Sequence, residues 1–189
     1  MTAYESGKSI IVNKGGTRSS KTWSILQLLF TIADISENPL IISVVSKSVP
    51  HLKKGCIRDF INIMQEVDRW DENCWNATDK IYSVNNSKIE FFSADQPGKV
   101  QGPARDILYI NECIDIPFET YKQLAIRTRQ TIFLDCNPCY QFWLDEHILT
   151  RDESTLIHST YKDNPWLSET QIRELESYKH DSEWWKVYG

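Results

Sequence analysis

Between residues 9 and 34 the chain passes from an apolar run through a short polar loop into an amphipathic stretch, and this passage constrains the fold more than any other part of the sequence. Ser9 to Asn13 (SIIVN) reads as a strand. Thr22 to Asp34 reads as a helix, with Trp23, Leu26, Leu29, Phe30 and Ala33 near a 3–4 spacing. The loop between them runs Gly15-Gly16-Thr17-Arg18-Ser19-Ser20-Lys21-Thr22. Small residues let backbone N–H groups wrap a phosphate, and the start of a helix adds partial positive charge. In such a loop Lys21 would neutralise the β- and γ-phosphates of ATP, and the Thr22 hydroxyl would sit on Mg2+. The usual pattern, G-x-x-x-x-G-K-[ST], has glycine where this chain has Ser20, and serine tolerates a positive φ less well. The alternative is a polar turn with a chance Lys-Thr; the strand before and the helix after favour phosphate binding. Gly7-Lys8-Ser9 is a decoy, since it leads into a strand rather than out of one.

Downstream, short β-rich runs alternate with helical periodicity, which predicts an α/β fold with a mainly parallel sheet. Strands are expected at Leu40 to Ser46, Ile107 to Ile110, Gln130 to Asp135 and Thr155 to Tyr161. Lys80 to Val84 and Lys88 to Ser93 flank Asn85-Asn86 and predict an antiparallel hairpin. Helices are expected at His51 to Val67, with an apolar stripe of Leu52, Cys56, Phe60 and Met64, at Pro117 to Ile126, and at Glu169 to Lys179 behind a Ser168 N-cap.

Two further strand ends carry polar chemistry. Asp106 to Ile110 is followed by Asn111-Glu112, the arrangement of a Walker B strand. Its first polar position normally holds an Asp that binds Mg2+ through water; here Asn111 is a neutral substitute. Glu112 is the candidate general base for the attacking water. Asp135-Cys136-Asn137-Pro138 ends the next apolar strand, with Pro138 expected to terminate it, and a side chain there can sense the γ-phosphate. Arg18, Arg105, Arg127 and Arg129 are candidate charge stabilisers: Arg18 in cis from inside the loop, Arg105 in trans across a subunit interface. A surface salt bridge is the simpler reading for at least two of them.

The 189 residues suffice for one domain with one core. At 41% hydrophobic and 25% charged the chain is globular rather than disordered. A net charge of −5 disfavours a free-standing reader of DNA sequence. The five cysteines, including the isolated C-x-x-C of Cys136 and Cys139, read as reduced thiols rather than a zinc site. No apolar run approaches the ~18–20 residues of a membrane helix, and the polar start of the chain has no signal-peptide core. A cytoplasmic location is expected.

At these residues the chain resembles the N-terminal ATPase domain of a tailed-bacteriophage terminase large subunit. The resemblance rests on GGTRSSKT (Gly15 to Thr22), INE (Ile110 to Glu112), DCNP (Asp135 to Pro138) and STYKDNPWLS (Ser159 to Ser168), in that order. It implies a P-loop NTPase fold of the ASCE type, with a mainly parallel central sheet flanked by helices and an antiparallel hairpin. It also implies roles: Lys21 and Thr22 on the phosphates and Mg2+, Glu112 as the catalytic carboxylate, and Asn137 in the motif that couples hydrolysis to movement. Arg18 matches the family's loop arginine approximately. Several terminases of this type carry Asn before the Walker B glutamate, as at Asn111.

The implied activity is ATP hydrolysis driving double-stranded DNA into a procapsid in the host cytoplasm. The implied partners are a portal protein, a small terminase subunit and further copies in a ring, typically of five. Residues 1–189 are expected to form one ATPase domain, giving way near 182–189 to a nuclease that the chain lacks. A nucleotide-binding assembly module with little or no hydrolysis is the alternative reading, and a small-molecule phosphotransferase, lacking an Arg-rich lid, ranks last. Lys47, Lys53, Lys54, Arg58, Lys99 and Arg105 could meet DNA, although a solvated helix face is the simpler account of such charges.

Overall fold

A computed structural model describes residues 2–137 and 139–188. Pro138, and with it the expected end of the DCNP strand, lies outside the described residues, as does the terminal Gly189.

One eight-stranded sheet organises the chain. Its strands are β1 (Ile10–Gly15), β2 (Ile41–Ser46), β3 (Trp75–Asn76), β4 (Ile81–Val84), β5 (Ser87–Ser93), β6 (Arg105–Ile110), β7 (Thr128–Cys136) and β8 (Ser154–Ser159), in the spatial order β3-β4-β5-β2-β6-β7-β1-β8. From β5 to β8 every neighbouring pair is parallel, while β3–β4 and β4–β5 are antiparallel. Asn85, at φ 50, makes the tight turn that reverses the chain between β4 and β5. β6, which leads into Asn111-Glu112, and the loop strand β1 are separated by β7.

The central strands are buried on both faces, which is why they read as nearly continuous apolar runs. Ile11, Ile42, Val44, Tyr109 and Phe133 point to one face and meet the helices Lys21–Ile35 and Arg58–Glu66. Ile10, Val12, Val45, Leu108, Ile110 and Leu134 point to the other and meet Tyr121, Leu124 and Leu144 from the helices Phe118–Ala125 and Trp143–His147. Phe60, fully buried, packs its ring against Phe30, Tyr82 and Phe91. Burial of such a side chain contributes roughly 1.5–3 kcal/mol.

The helix expected over His51 to Val67 starts earlier, at Val49, because Pro50 in its first turn needs no hydrogen-bond partner for nitrogen. It carries a π turn over Lys53–Ile57 before continuing as Arg58–Glu66. The stripe of Leu52, Cys56, Phe60 and Met64 is buried as expected. Ser168 caps Glu169–Ser177 by accepting from the Gln171 N–H at 3.3 Å. The short strand β3 and the helices Trp143–His147 and Ser182–Tyr188 are additional to the elements read from sequence.

Gly15, the last residue of β1, is where the sheet leaves no room for a side chain. A Cβ there would stand 2.1 Å from the carbonyl oxygen of Ser159 in β8. Gly15→Ala is therefore expected to destabilise the domain by about 1–3 kcal/mol, read by calorimetry as a fall in Tm of roughly 2–12 °C. An unchanged Tm would mean that β8 shifts at no cost.

Candidate functional site

The polar positions singled out in the sequence converge because β1, β6 and β7 run parallel and end together. β1 delivers residues 16–20 to the start of the helix Lys21–Ile35. Ser20 sits at φ 63 and Arg18 at φ 64, both left-handed. Serine thus adopts the conformation that glycine takes at this place in the usual motif, at a cost of about 1 kcal/mol. Ser19 Oγ donates to the Gly16 carbonyl at 2.8 Å and closes the loop.

Lys21 folds back into this loop. Its ammonium donates to the carbonyl oxygens of Gly15 and Gly16, both at 2.9 Å, to Ser19 Oγ and to Asn137 Oδ1, both at 3.1 Å. Burial pushes the ammonium below the usual lysine range, and Asp135, Cys136 and Glu112 pull it partly back. Asn137, beyond the end of β7, also donates to Thr17 Oγ1 at 3.4 Å. The loop and the candidate coupling residue therefore share direct bonds.

Asn111, just past β6, is 5% exposed. Its Nδ2 lies 3.2 Å from Thr22 Oγ1, from Tyr109 Oη and from Asp135 Oδ1. Asp135 Oδ1 also accepts from Tyr109 Oη at 2.9 Å and from the Glu112 N–H at 3.0 Å. Burial pushes the Asp135 carboxyl above the usual carboxylate range, against the pull of these donors and of Lys21. The bond from its N–H helps hold Glu112 in left-handed geometry, φ 52 and ψ 57. The Glu112 carboxylate, about half exposed, reaches His51 Nε2 at 3.1 Å. His51 Nδ1 in turn lies 3.0 Å from Ser46 Oγ at the end of β2.

The arginines separate. Arg18 is exposed on the loop, and its backbone carbonyl accepts from Asn164 Nδ2 at 2.8 Å. Arg105 begins β6, at the opposite end of that strand from Asn111; it is 1% exposed, with its guanidinium over the Phe92 ring. That placement corrects the expectation of a trans-acting arginine at this position, because a finger needs a mobile, accessible guanidinium. Arg127 and Arg129 lie at the same far end, bonded to the Gln123 carbonyl and to Asp106. Gly7 and Lys8 precede β1, and the Lys8 ammonium donates to the Asp152 carbonyl. Cys136 is buried and Cys139 exposed, both as free thiols. Lys53 and Lys54 are exposed on the π turn, Arg58 pairs with Asp59, and Lys47 pairs with Asp115.

A cleft of about 750 Å3 opens over this ensemble, lined by the loop, Glu112, Asp135 and Asn137, with Asn164 and Trp166 on its rim. A sequence profile of the phage terminase large subunit matches residues 7–188. The chain belongs to the phage terminase large subunit family. No curated protein matches the sequence. Among solved structures, this terminase chain is similar to the large terminase of a thermophilic bacteriophage, with a TM-score of 0.79 at 17% identity over 89% of this chain and 45% of that one. The same phage's large terminase in complex with ATP-γ-S gives 0.79 at 18% identity over 97% and 47%. The large terminase ATPase domain of Thermus phage P74-26 gives 0.66 at 13% identity over 96% and 88%. At these identities the likeness is one of fold. The terminase chain spans about half the length of the thermophilic-phage protein.

Four residues of this terminase site were not assigned from sequence: Tyr109, Asp135, His51 and Asn164. Asp135 carried a signal, as the acid ending an apolar strand, but its partner set depends on which strand lies beside β7.

Proposed function

We propose that this chain is the ATP-hydrolysing motor domain of a terminase large subunit, residues 1–189 forming one ATPase domain that moves double-stranded DNA into a procapsid. One observation carries the reading: Lys21, Thr22, Asn111, Glu112 and Asn137 meet at the common edge of β1, β6 and β7. That edge is where open α/β sheets bind ligands.

The residues fit a nucleotide and its cation. The Ser20 Oγ is buried without a hydrogen-bond partner among the described residues, in a loop where a phosphate oxygen would accept from it. The Lys21 ammonium now donates to two loop carbonyls, bonds it would exchange for phosphate oxygens. Thr22 and Asn111 would hold Mg2+, Asn111 through water. When bound, Mg2+ would offset charge on the phosphates. Lys21 neutralises the β- and γ-phosphates, Glu112 orients water for in-line attack and accepts its proton, and Arg18, exposed on the loop, is the candidate arginine to act in cis. Asn137, bonded to Lys21, registers loss of the γ-phosphate. Portal protein, small terminase subunit, a ring of five copies and the host cytoplasm complete the proposal.

The test is steady-state ATPase activity of the chain with Mg2+, alone and with DNA and the other packaging proteins. Turnover supports the motor. Tight ATP binding without turnover under every condition would favour an assembly module.

His51 supplies a second check. A half-exposed pair such as His51–Glu112 is worth less than about 1 kcal/mol, so it parks the carboxylate without locking it. His51→Ala is expected to raise basal turnover by less than about fivefold. A fall of tenfold or more would place His51 in the reaction itself.

A further inference from the structure

A Walker B strand normally offers a carboxylate to the water shell of the nucleotide's cation, and here β6 offers an amide. The register of the sheet shows where the missing charge lies. Tyr109 pairs with Phe133 and Ile110 with Leu134, so the next pair along is Asn111 beside Asp135. The adjoining β1 pairs Asn13 with Asp135. Asp135 therefore stands one strand nearer the phosphate loop than Asn111 does, about 4.8 Å across the sheet.

Its bonding suits the task. The Asp135 carboxylate accepts at Oδ1 from Tyr109, Asn111 and the Glu112 N–H. Asp135 also lines the cleft beside Lys21 and Thr22. Asn111 bridges the two elements, with its amide 3.2 Å from both Asp135 Oδ1 and Thr22 Oγ1. A buried carboxylate is costly unless a cation or several donors face it. Asn111 in this arrangement orients the acid while its own neutral amide faces the cation's water shell.

We propose that Asp135 supplies, from β7, the acidic charge that helps hold the nucleotide-bound divalent cation through its water shell, the charge that β6 lacks at Asn111. This rests on the ATPase reading. Asp135 is a positioning residue for the cation rather than a group on the reacting atoms.

The experiment measures ATP-γ-S affinity by calorimetry with Mg2+ and with EDTA, and takes the ratio of the two. Asp135→Asn is expected to cut the Mg2+-dependent gain at least about tenfold, equivalent to about 1.4 kcal/mol, and to leave the EDTA affinity intact. The exchange variant Asn111→Asp with Asp135→Asn returns a carboxylate to β6 and is expected to recover the gain. An unaltered ratio in Asp135→Asn overturns the proposal, as does an exchange variant that binds in EDTA without recovering. A structure of the unmodified chain with ATP-γ-S and Mn2+ decides the matter if the single variant fails to fold: a water shell against Asp135 supports the proposal, and one out of its reach overturns it. No nucleotide binding by the unmodified chain would overturn the ATPase reading and this proposal together. Binding indifferent to Asp135 overturns this proposal alone.

Discussion

Lys21→Ala is expected to weaken ATP binding at least about a hundredfold, because two or more charge-assisted hydrogen bonds to phosphate, each worth roughly 1.5–3 kcal/mol, disappear together. The ammonium already sits where that strength can be used. It is held by the carbonyls of Gly15 and Gly16 and by Asn137, inside the loop rather than waving in solvent. Its burial raises the stakes, since a buried ammonium is poorly hydrated and gains more from a polyanion. Fluorescence titration with a labelled ATP analogue checks the result. Removing the ammonium also removes a donor from four oxygens, so the variant's thermal melt belongs beside the titration. A variant that melts normally and still binds ATP within threefold of the parent would remove Lys21 from the phosphate site.

Glu112→Gln should separate binding from chemistry. Glutamine keeps the shape and can still meet His51, but it cannot take a proton from water. A general base contributes typically 10²–10⁴-fold, so turnover should fall by about that much while ATP affinity stays within about threefold. Single-turnover measurement on bound ATP reads the step directly. Equal losses in binding and turnover would point to a structural role through the Glu112 N–H and its bond to Asp135.

The strand, loop and helix around residues 15–22 were legible from sequence because their signal is local. Glycines, a preceding apolar run and a following helical stripe lie within one short window, and the chain's own stiffness does the rest. The same holds for Asn111-Glu112 at a strand end, and for the Asn85-Asn86 turn. Asp135 was not legible as a partner of Asn111 and Glu112, because that contact is set by the register of β6 against β7, and no single strand carries register information. Arg105 failed for a related reason. It lay two residues outside the expected strand Ile107 to Ile110; in the structure β6 begins at Arg105 itself, so the residue is drawn into the sheet and buried at the far end. The π turn at Lys53–Ile57 left no trace either, since the stripe Leu52, Cys56, Phe60 and Met64 continues across it.

One side chain, Asn164, joins two distant parts of the molecule. Its Nδ2 holds the Arg18 carbonyl at 2.8 Å, and its Oδ1 accepts from the Trp166 N–H at 3.1 Å. The phosphate loop is thereby tied to the stretch that leads into the last two helices, Glu169–Ser177 and Ser182–Tyr188. Coupling of this kind is reciprocal by thermodynamic necessity. If a nucleotide in the loop favours one placement of residues 164–188, then whatever grips those residues in that placement tightens the nucleotide by the same factor. On the proposed reading, a load applied to residues 164–188 would be felt at the nucleotide through the Asn164 amide as well as through the β1–β8 ladder.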